Sequence, residues 1–543
     1  MKYLKNNSKL LLSILFIVGF TFFNIQSIKA ATITWDGSES VTWATDDNWV
    51  GGTAPVSGDD VVINGSYASA PTLDLTGGSA TFNSVTVGSS ADSILTISNS
   101  TTTKKLITTA NFTIGANGTT THTANGGVQT HSLVIDVGGD ALITGYMDVN
   151  GKGHSSGQGP GTGGTQGQYS TDGGASYGGL GTAGYSAVVA GSVYGSLSSP
   201  AELGSGGGGS GSGSGGGAIK LSVTGTLTVN GWILSRGGDA SLATGDAGGS
   251  GGSIWLVAGT ITGSGTIAAN GGDGGMEGYN SRDGGSGGGG RIAIYYTTNT
   301  HSGTVSVYGS SMNAAHISTS GTVYDKDTDD SYGSLTINNN GNNSILSTPL
   351  IDGTYNFKGF TASGLAEVLL SASDIINTET ITLSASSTLL NTDAAITVTS
   401  SFTISNGAQY EQSETASLTA TAASFTAAAG AGPTFWDIHK DGSTPTFTSA
   451  TIASGATLTH SAQATAHTYS LKLAVSGNMT VTGDINVNDR GYRYGQGPGT
   501  GGTKGQYSTD GGASYGGLGT LGYGIAAGVV YGYQYAPIDI GSG

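Results

Sequence analysis

The chain of 543 residues contains no cysteine, which excludes a disulfide framework and any thiolate metal site. Charge is also scarce. Asp, Glu, Lys and Arg make up only 10% of the residues, so exposed faces must be solvated mainly by Thr, Ser, Asn and backbone. The charge present is mostly negative, 35 acidic residues against 18 basic ones for a net −17, and Lys2, Lys5, Lys9 and Lys29 all precede residue 31. That sign disfavours nucleic acid and anionic lipid as partners. Helical patterning is almost missing. Its best candidate, residues 416–431, is alanine-rich but carries so much Thr and Ser that it reads as strand or loop. Long apolar runs are absent except at residues 10–23. This run follows Lys2, Lys5 and Lys9 and leads to the small residue Ala30, the layout of an export signal over 1–30, and it is shorter than the roughly 20 residues that span a bilayer. The remainder is therefore expected to be exported and not inserted in a membrane.

Glycine is abundant, with 98 residues gathered in blocks. Between the blocks, aliphatic residues alternate with Thr, Ser or Asn, the period of a half-buried strand. A frame Gly-x-apolar-x-apolar recurs at Gly139 with Ala141 and Ile143, Gly225 with Leu227 and Val229, Gly259 with Ile261, Gly303 with Val305 and Val307, and Gly477 with Met479 and Val481. Each instance is one rung. Corners such as Asn150-Gly151 and Asn270-Gly271 use residues that accept positive φ. A few aliphatics per rung, at about 1.5–3 kcal/mol each, cannot offset about 1–2 kcal/mol of backbone entropy for every residue fixed. Rungs must therefore stack. The expected fold is all-β, a parallel β-solenoid and most simply a right-handed β-helix, with long glycine-rich inserts at 153–217, 237–252 and 271–290. The first insert, carrying Tyr169, Tyr177, Tyr185 and Tyr194, is either a packed flap or a mobile tether.

Residues 157–185 return at 495–523, altered only where Gln166 becomes Lys504 and Ala183 becomes Leu521; residues 119–156 align without a gap to 457–494. One large unit is being copied, as in an array. Gly541-Ser542-Gly543 matches Gly204-Ser205-Gly206, so the sequence stops inside a unit and is expected to be part of a longer polypeptide. The expected organisation is a signal (1–30), an N-terminal β region (31–152), a glycine/tyrosine insert (153–217), rungs with glycine loops (218–309), a second β-helix unit (310–494) and a second, truncated insert (495–543). A second motif, an aromatic followed by alternation, occurs at residues 82–87, 332–337 and 435–440 and suggests a coil-closing strand.

The segment TWDGSESVTWATDDNWVGGTAPVSGDDVVI, with Trp35, Trp43, Trp49, Gly52, Pro55 and Asp59 leading to Val61 and Ile63, resembles the opening of bacterial autotransporter-type and adhesin-like passenger proteins. GGSIWLVAGTITGSGTIAANGGDGG and GGGGRIAIYY are similar to the glycine-rich repeat proteins of bacterial envelopes. Both resemblances imply a secreted β-helix displayed at a bacterial cell surface.

Four groups of residues carry possible chemistry. Asp437, His439, Lys440 and Asp441 place acid, histidine and base close together, but Thr86 and Thr336 stand where His439 falls in the related motifs, so an outward strand position is expected. Asp148, Lys152 and His154 follow a rung end, where sugar-cleaving β-helices place such groups. The second copy has Asn486, Arg490 and Tyr492 there, which argues against an active site, while Asp172 is kept as Asp510. Asp325, Asp327, Asp329 and Asp330 alternate as in calcium loops, so calcium is the one cofactor expected, with an acidic solvated loop as the alternative. Thr226/Thr228, Thr260/Thr262 and Thr304/Ser306 would form a hydroxyl ladder on three successive rungs, as ice-binding solenoids do. No catalytic residue is assigned. The expected function is a non-enzymatic structural or adhesion protein, with a cell-surface glycan, another cell surface or a second copy as partner; a carbohydrate-active β-helix enzyme is the alternative and an ice-binding array a remote one.

Overall fold

The computed structural model describes residues 30–65, 67–165, 171–185, 189–241, 245–276, 283–310, 316–502, 512–520, 526–531 and 539–542. The export signal expected at 1–30 lies outside them apart from Ala30, as do Tyr169 and Asp510. The chain is all-β: the described residues hold no α-helix, and their strands form long, mostly parallel sheets of 20, seven and eight strands. Residues 416–431 contain the strand Ser417–Ala428.

The arrangement is solenoid-like because each strand pairs with the one a coil later. Ile219 pairs Ile254, which pairs Ile292; Leu221 pairs Leu256, which pairs Ile294. Within a coil, Ala218–Val229 runs along the long sheet, and the chain then turns onto the seven-stranded wall at Trp232–Leu234. Ser253–Thr262 with Thr266–Ala268, and Arg291–Asn299 with Thr304–Ser306, repeat that path. Alternation does the sorting. Ile219, Leu221, Leu227, Val229 and Ile233 are buried, while Ser222 and Thr228 are not, so one core is shared by successive coils. Trp35, Trp43 and Trp49 close the first coil, packed edge to face at 4.9 and 4.8 Å.

The corner between the two walls is a column of glycines. A Cβ on Gly231 would lie 2.1 Å from the Gly145 carbonyl oxygen, one on Gly265 2.2 Å from that of Gly231, and one on Gly303 1.9 Å from that of Gly265. Only hydrogen fits between such turns.

An antiparallel hairpin interrupts the stack. Thr322–Asp327 lies parallel to Arg291–Asn299 and antiparallel to Ser334–Asn338. Beyond it a second core begins, in which Thr354 pairs Ile375, Ile375 pairs Ala395 and Ala395 pairs Ser417. Its coils close on the eight-stranded wall, and Phe402, Phe425 and Phe447 follow one another inside. The aromatic motif does not mark one position in the coil as expected. Ser84–Val87 and Ser334–Asn338 belong to the long sheet and Thr434–His439 to the eight-stranded wall, because the motif records only alternation beside an aromatic and either wall accepts that.

The glycine inserts pack against one another outside the core. Gly248 and Gly251 donate to the carbonyls of Gly285 and Gly288, Gly249 and Gly252 to those of Gly238 and Ser235, and Ser250 to that of Ser205. Gly285 and Gly288 donate in turn to Asp172 and Ala175. Successive residues therefore face three neighbours with a period of three, the symmetry of polyproline-II-type extended chain. The approach is tight, for a Cβ on Gly213 would stand 1.8 Å from Gly238 O and one on Gly271 1.9 Å from Gly287 O. Over its described residues the first insert is a packed flap and not a tether, and its glycines serve contact between backbones.

Candidate functional site

The structure separates most of the residues that suggested chemistry. Asp437 is fully buried. It accepts hydrogen bonds from Gln409 Nε2 at 2.7 Å and from the Ser461 amide and hydroxyl at 2.6 Å, and burial raises its pKa. His439 points outward as expected, its Nε2 3.3 Å from Glu411 Oε1, where the Tyr469 hydroxyl also donates. Lys440 Nζ lies 3.9 Å from the exposed Asp441. Asp437 thus secures the returning segment at Ser461, and His439 answers to a different carboxylate.

Asp148 accepts from the Asn150 amide at 2.9 Å, which shapes the corner. His154 is buried, and its ring lies where a Cβ on Gly159 would fall, 2.9 Å away. Tyr492 holds the same place under Gly497 in the second copy. A ring wedged beneath a glycine turn explains why histidine and tyrosine exchange there.

The aspartates of the hairpin are committed separately. Asp325 accepts from the Tyr296 hydroxyl at 2.5 Å and burial raises its pKa, Asp330 pairs with Lys358 Nζ at 2.6 Å, and Asp327 accepts from the Asp329 amide at 3.0 Å. Among the described residues no three acidic or histidine side chains converge as a metal site would require. The expected hydroxyl ladder is corrected. Thr226 pairs Thr260 and Thr228 pairs Thr262, but the next residue in that column is Thr298, because Thr304 and Ser306 pair Thr266 and Ala268 on another wall. Gly303 belongs to a later corner than Gly225, and the shared frame concealed this.

A concavity lies where the two stacks meet. A cavity of about 710 Å³ opens there, walled by Ile267, Ile294, Val305, Val307 and Val323 on one side and by Ser334, Thr336 and Asn338 of the hairpin on the other. Arg236, His301 and Asp325 stand on its lining. It exists because the hairpin replaces a coil, so the seven-stranded wall ends at Thr304–Ser306.

Two buried groups have roles the sequence did not disclose. His122 is fully buried, its Nδ1 2.8 Å from Thr123 O and its Nε2 accepting from the Ala218 amide at 3.3 Å, so it seats the chain as it returns from the first insert. Its counterpart His460 makes the same 2.8 Å contact with Ser461 O. Retention of histidine in both copies was the available signal. Burial, with smaller contributions from His131 and Lys152, lowers the His122 pKa from 6.5 to about 4. The folded state therefore binds this proton less readily than the unfolded chain, and the stability contributed by neutral His122 is complete above pH 6.5 and declines as the pH falls toward 4. About 2 kcal/mol should be lost between pH 7.5 and 5. Urea midpoints across that range should show a slope that His122→Gln flattens; an unchanged slope contradicts the assignment. The second group is Arg291, buried at the edge of the glycine bundle.

Compared with protein-family models, curated proteins and solved structures, the chain matches none of them.

Proposed function

We propose that this protein is a secreted, non-enzymatic component of a bacterial surface, of the kind that the autotransporter-like and adhesin-like passengers exemplify, built as a right-handed parallel β-helix stalk or coat. One observation carries the proposal: the repeated unit is rebuilt as a structure. Gly174 N donates to Thr182 O at 2.8 Å and Gly512 N to Thr520 O at 2.7 Å; Ser176 N donates to Gly161 O, and Ser514 N to Gly499 O, both at 2.8 Å; Ser205 Oγ accepts from Gly161 N at 2.9 Å and Ser542 Oγ from Gly499 N at 2.8 Å. What differs between the copies is the polar set at the rung end, which an array of catalytic sites would have to keep. Duplication of a scaffold extends reach and multiplies identical surface, which suits a stalk, a coat or an adhesive face with a cell-surface glycan or another copy as partner. The right-handed sense rests on the strong preference of parallel crossover connections.

Incubation of the purified protein with polygalacturonate, alginate and related glycans should release neither reducing ends nor unsaturated products. Turnover of any of them would replace this reading with that of a carbohydrate-active enzyme. Solution scattering should give an elongated particle, and a compact sphere would contradict the stalk.

A further inference from the structure

Among the described residues, Thr304–Ser306 is the last strand of the seven-stranded wall and is paired on one side only, with Thr266–Ala268. Thr304 N donates to Gly265 O at 3.1 Å and Ser306 O accepts from Ala269 N at 2.9 Å, so both residues turn their backbone groups toward that neighbour. By strand alternation, the N–H and C=O of Val305 face the opposite way, into the cavity between the stacks. On the three preceding coils the middle residue of this wall is fully buried: Met147, Ile233 and Ile267. Val305 holds the equivalent position and is only half-buried, as is Val323 beside it, because no further strand among the described residues lies over them. The cavity lining includes His301, whose Nε2 is buried without a hydrogen-bond partner among the described residues. Free backbone groups, an uncovered aliphatic row and an unsatisfied buried polar atom coincide at one place.

We propose that this gap binds an extended peptide of a partner protein, which adds a parallel strand to the wall at Thr304–Ser306 and places one aliphatic side chain over Val305. Continuity with the existing ladder favours a peptide over a saccharide. The wall already repeats this pairing from Tyr146–Asp148 through Trp232–Leu234 and Thr266–Ala268 to Thr304–Ser306, each time seating an aliphatic in the middle. Main-chain bonds give affinity in such strand addition, and the pocket for the middle side chain gives selectivity. The partner motif is therefore a short extended stretch with Ile or Val flanked by Thr, Ser or Ala. The hydroxyls of Ser334 and Thr336 and the Asn338 amide on the facing wall suit polar flanking residues. This inference goes beyond the scaffold proposal, which survives or fails on glycan turnover and shape independently of it.

The probe is a fluorescent peptide, Gly-Ser-Gly-Thr-Ile-Ala-Ala-Asn, which copies the strand already paired to this edge, titrated with the full chain and followed by anisotropy. Saturable binding is expected. It should weaken at least tenfold with Val305→Pro, which removes the outward N–H at an edge position where proline is tolerated. Thr336→Trp, which fills the gap from the hairpin, should weaken it similarly, as should a peptide with Asp in place of Ile. Both variants should keep the far-ultraviolet dichroism and urea midpoint of the parent; if one does not fold, the other and the Asp peptide decide. Absence of saturable binding at millimolar peptide, equal binding by a folded Val305→Pro variant, or displacement of the peptide by neutral oligosaccharides would each overturn the proposal.

Discussion

Gly178→Ala should destabilise the protein by about 2–3 kcal/mol. A Cβ on Gly178 would lie 2.1 Å from the Gly290 carbonyl oxygen and 2.8 Å from its carbonyl carbon, and neither backbone atom can yield without moving the bundle. Gly178 does not have a positive φ, so alanine there is strained by contact alone. Gly179 meets the same limit, with the Thr319 carbonyl oxygen 2.3 Å from the added atom. Urea midpoints, together with proteolysis of residues 157–217, would read the loss. An unchanged midpoint would show that the first insert is not packed as described.

The second large effect is expected at Arg291. Its Nε donates to Tyr194 O at 2.9 Å and its Nη1 to Thr322 Oγ1 at 3.0 Å, while the guanidinium lies 5.5 Å from the Tyr177 ring centroid. Tyr177, itself fully buried, continues the network to Ser253 Oγ at 2.7 Å and Glu202 Oε2 at 3.2 Å. Burial lowers the Arg291 pKa and raises that of Tyr177, so the arginine supplies charge and donors while the phenol stays neutral. This group fastens the flap to the coil wall. Arg291→Leu should cost about 3 kcal/mol, since carbonyls and a carboxylate network lose their buried cation together. Arg291→Lys should not restore it, because a single ammonium cannot reach the divergent acceptors that the planar fork spans. The exposed Arg236→Leu should stay within about 0.5 kcal/mol of the parent. A Leu variant with an unchanged midpoint would show that the flap is held elsewhere.

Much of the architecture was legible residue by residue. Alternation at Leu227, Val229 and Ile261 announced buried strand faces, and the poor energetics of one rung required stacking. The copied segment announced a repeated unit. The candidate site was far less legible. Nothing near Thr304 distinguishes it from Thr226, yet one lies on the long sheet's continuation and the other at the open end of a different wall. The cavity beside Val305 arises from a hairpin substituting for a coil, and the residues that line it come from four separated stretches. Arg291 looked like one more strand residue, although its partners Tyr177 and Tyr194 lie about a hundred positions earlier.

The sequence by itself determined that this chain has no thiol chemistry, that its apolar residues fall on alternate positions, and that its strands must share faces to be stable, because side-chain direction and burial energy are local properties of an extended chain. Tertiary structure alone decided which glycine touches a carbonyl, which wall runs out of strands and which histidine loses contact with water. Each of those depends on the segment that lies alongside, and that segment can come from far along the chain, as Gly290 does for Gly178.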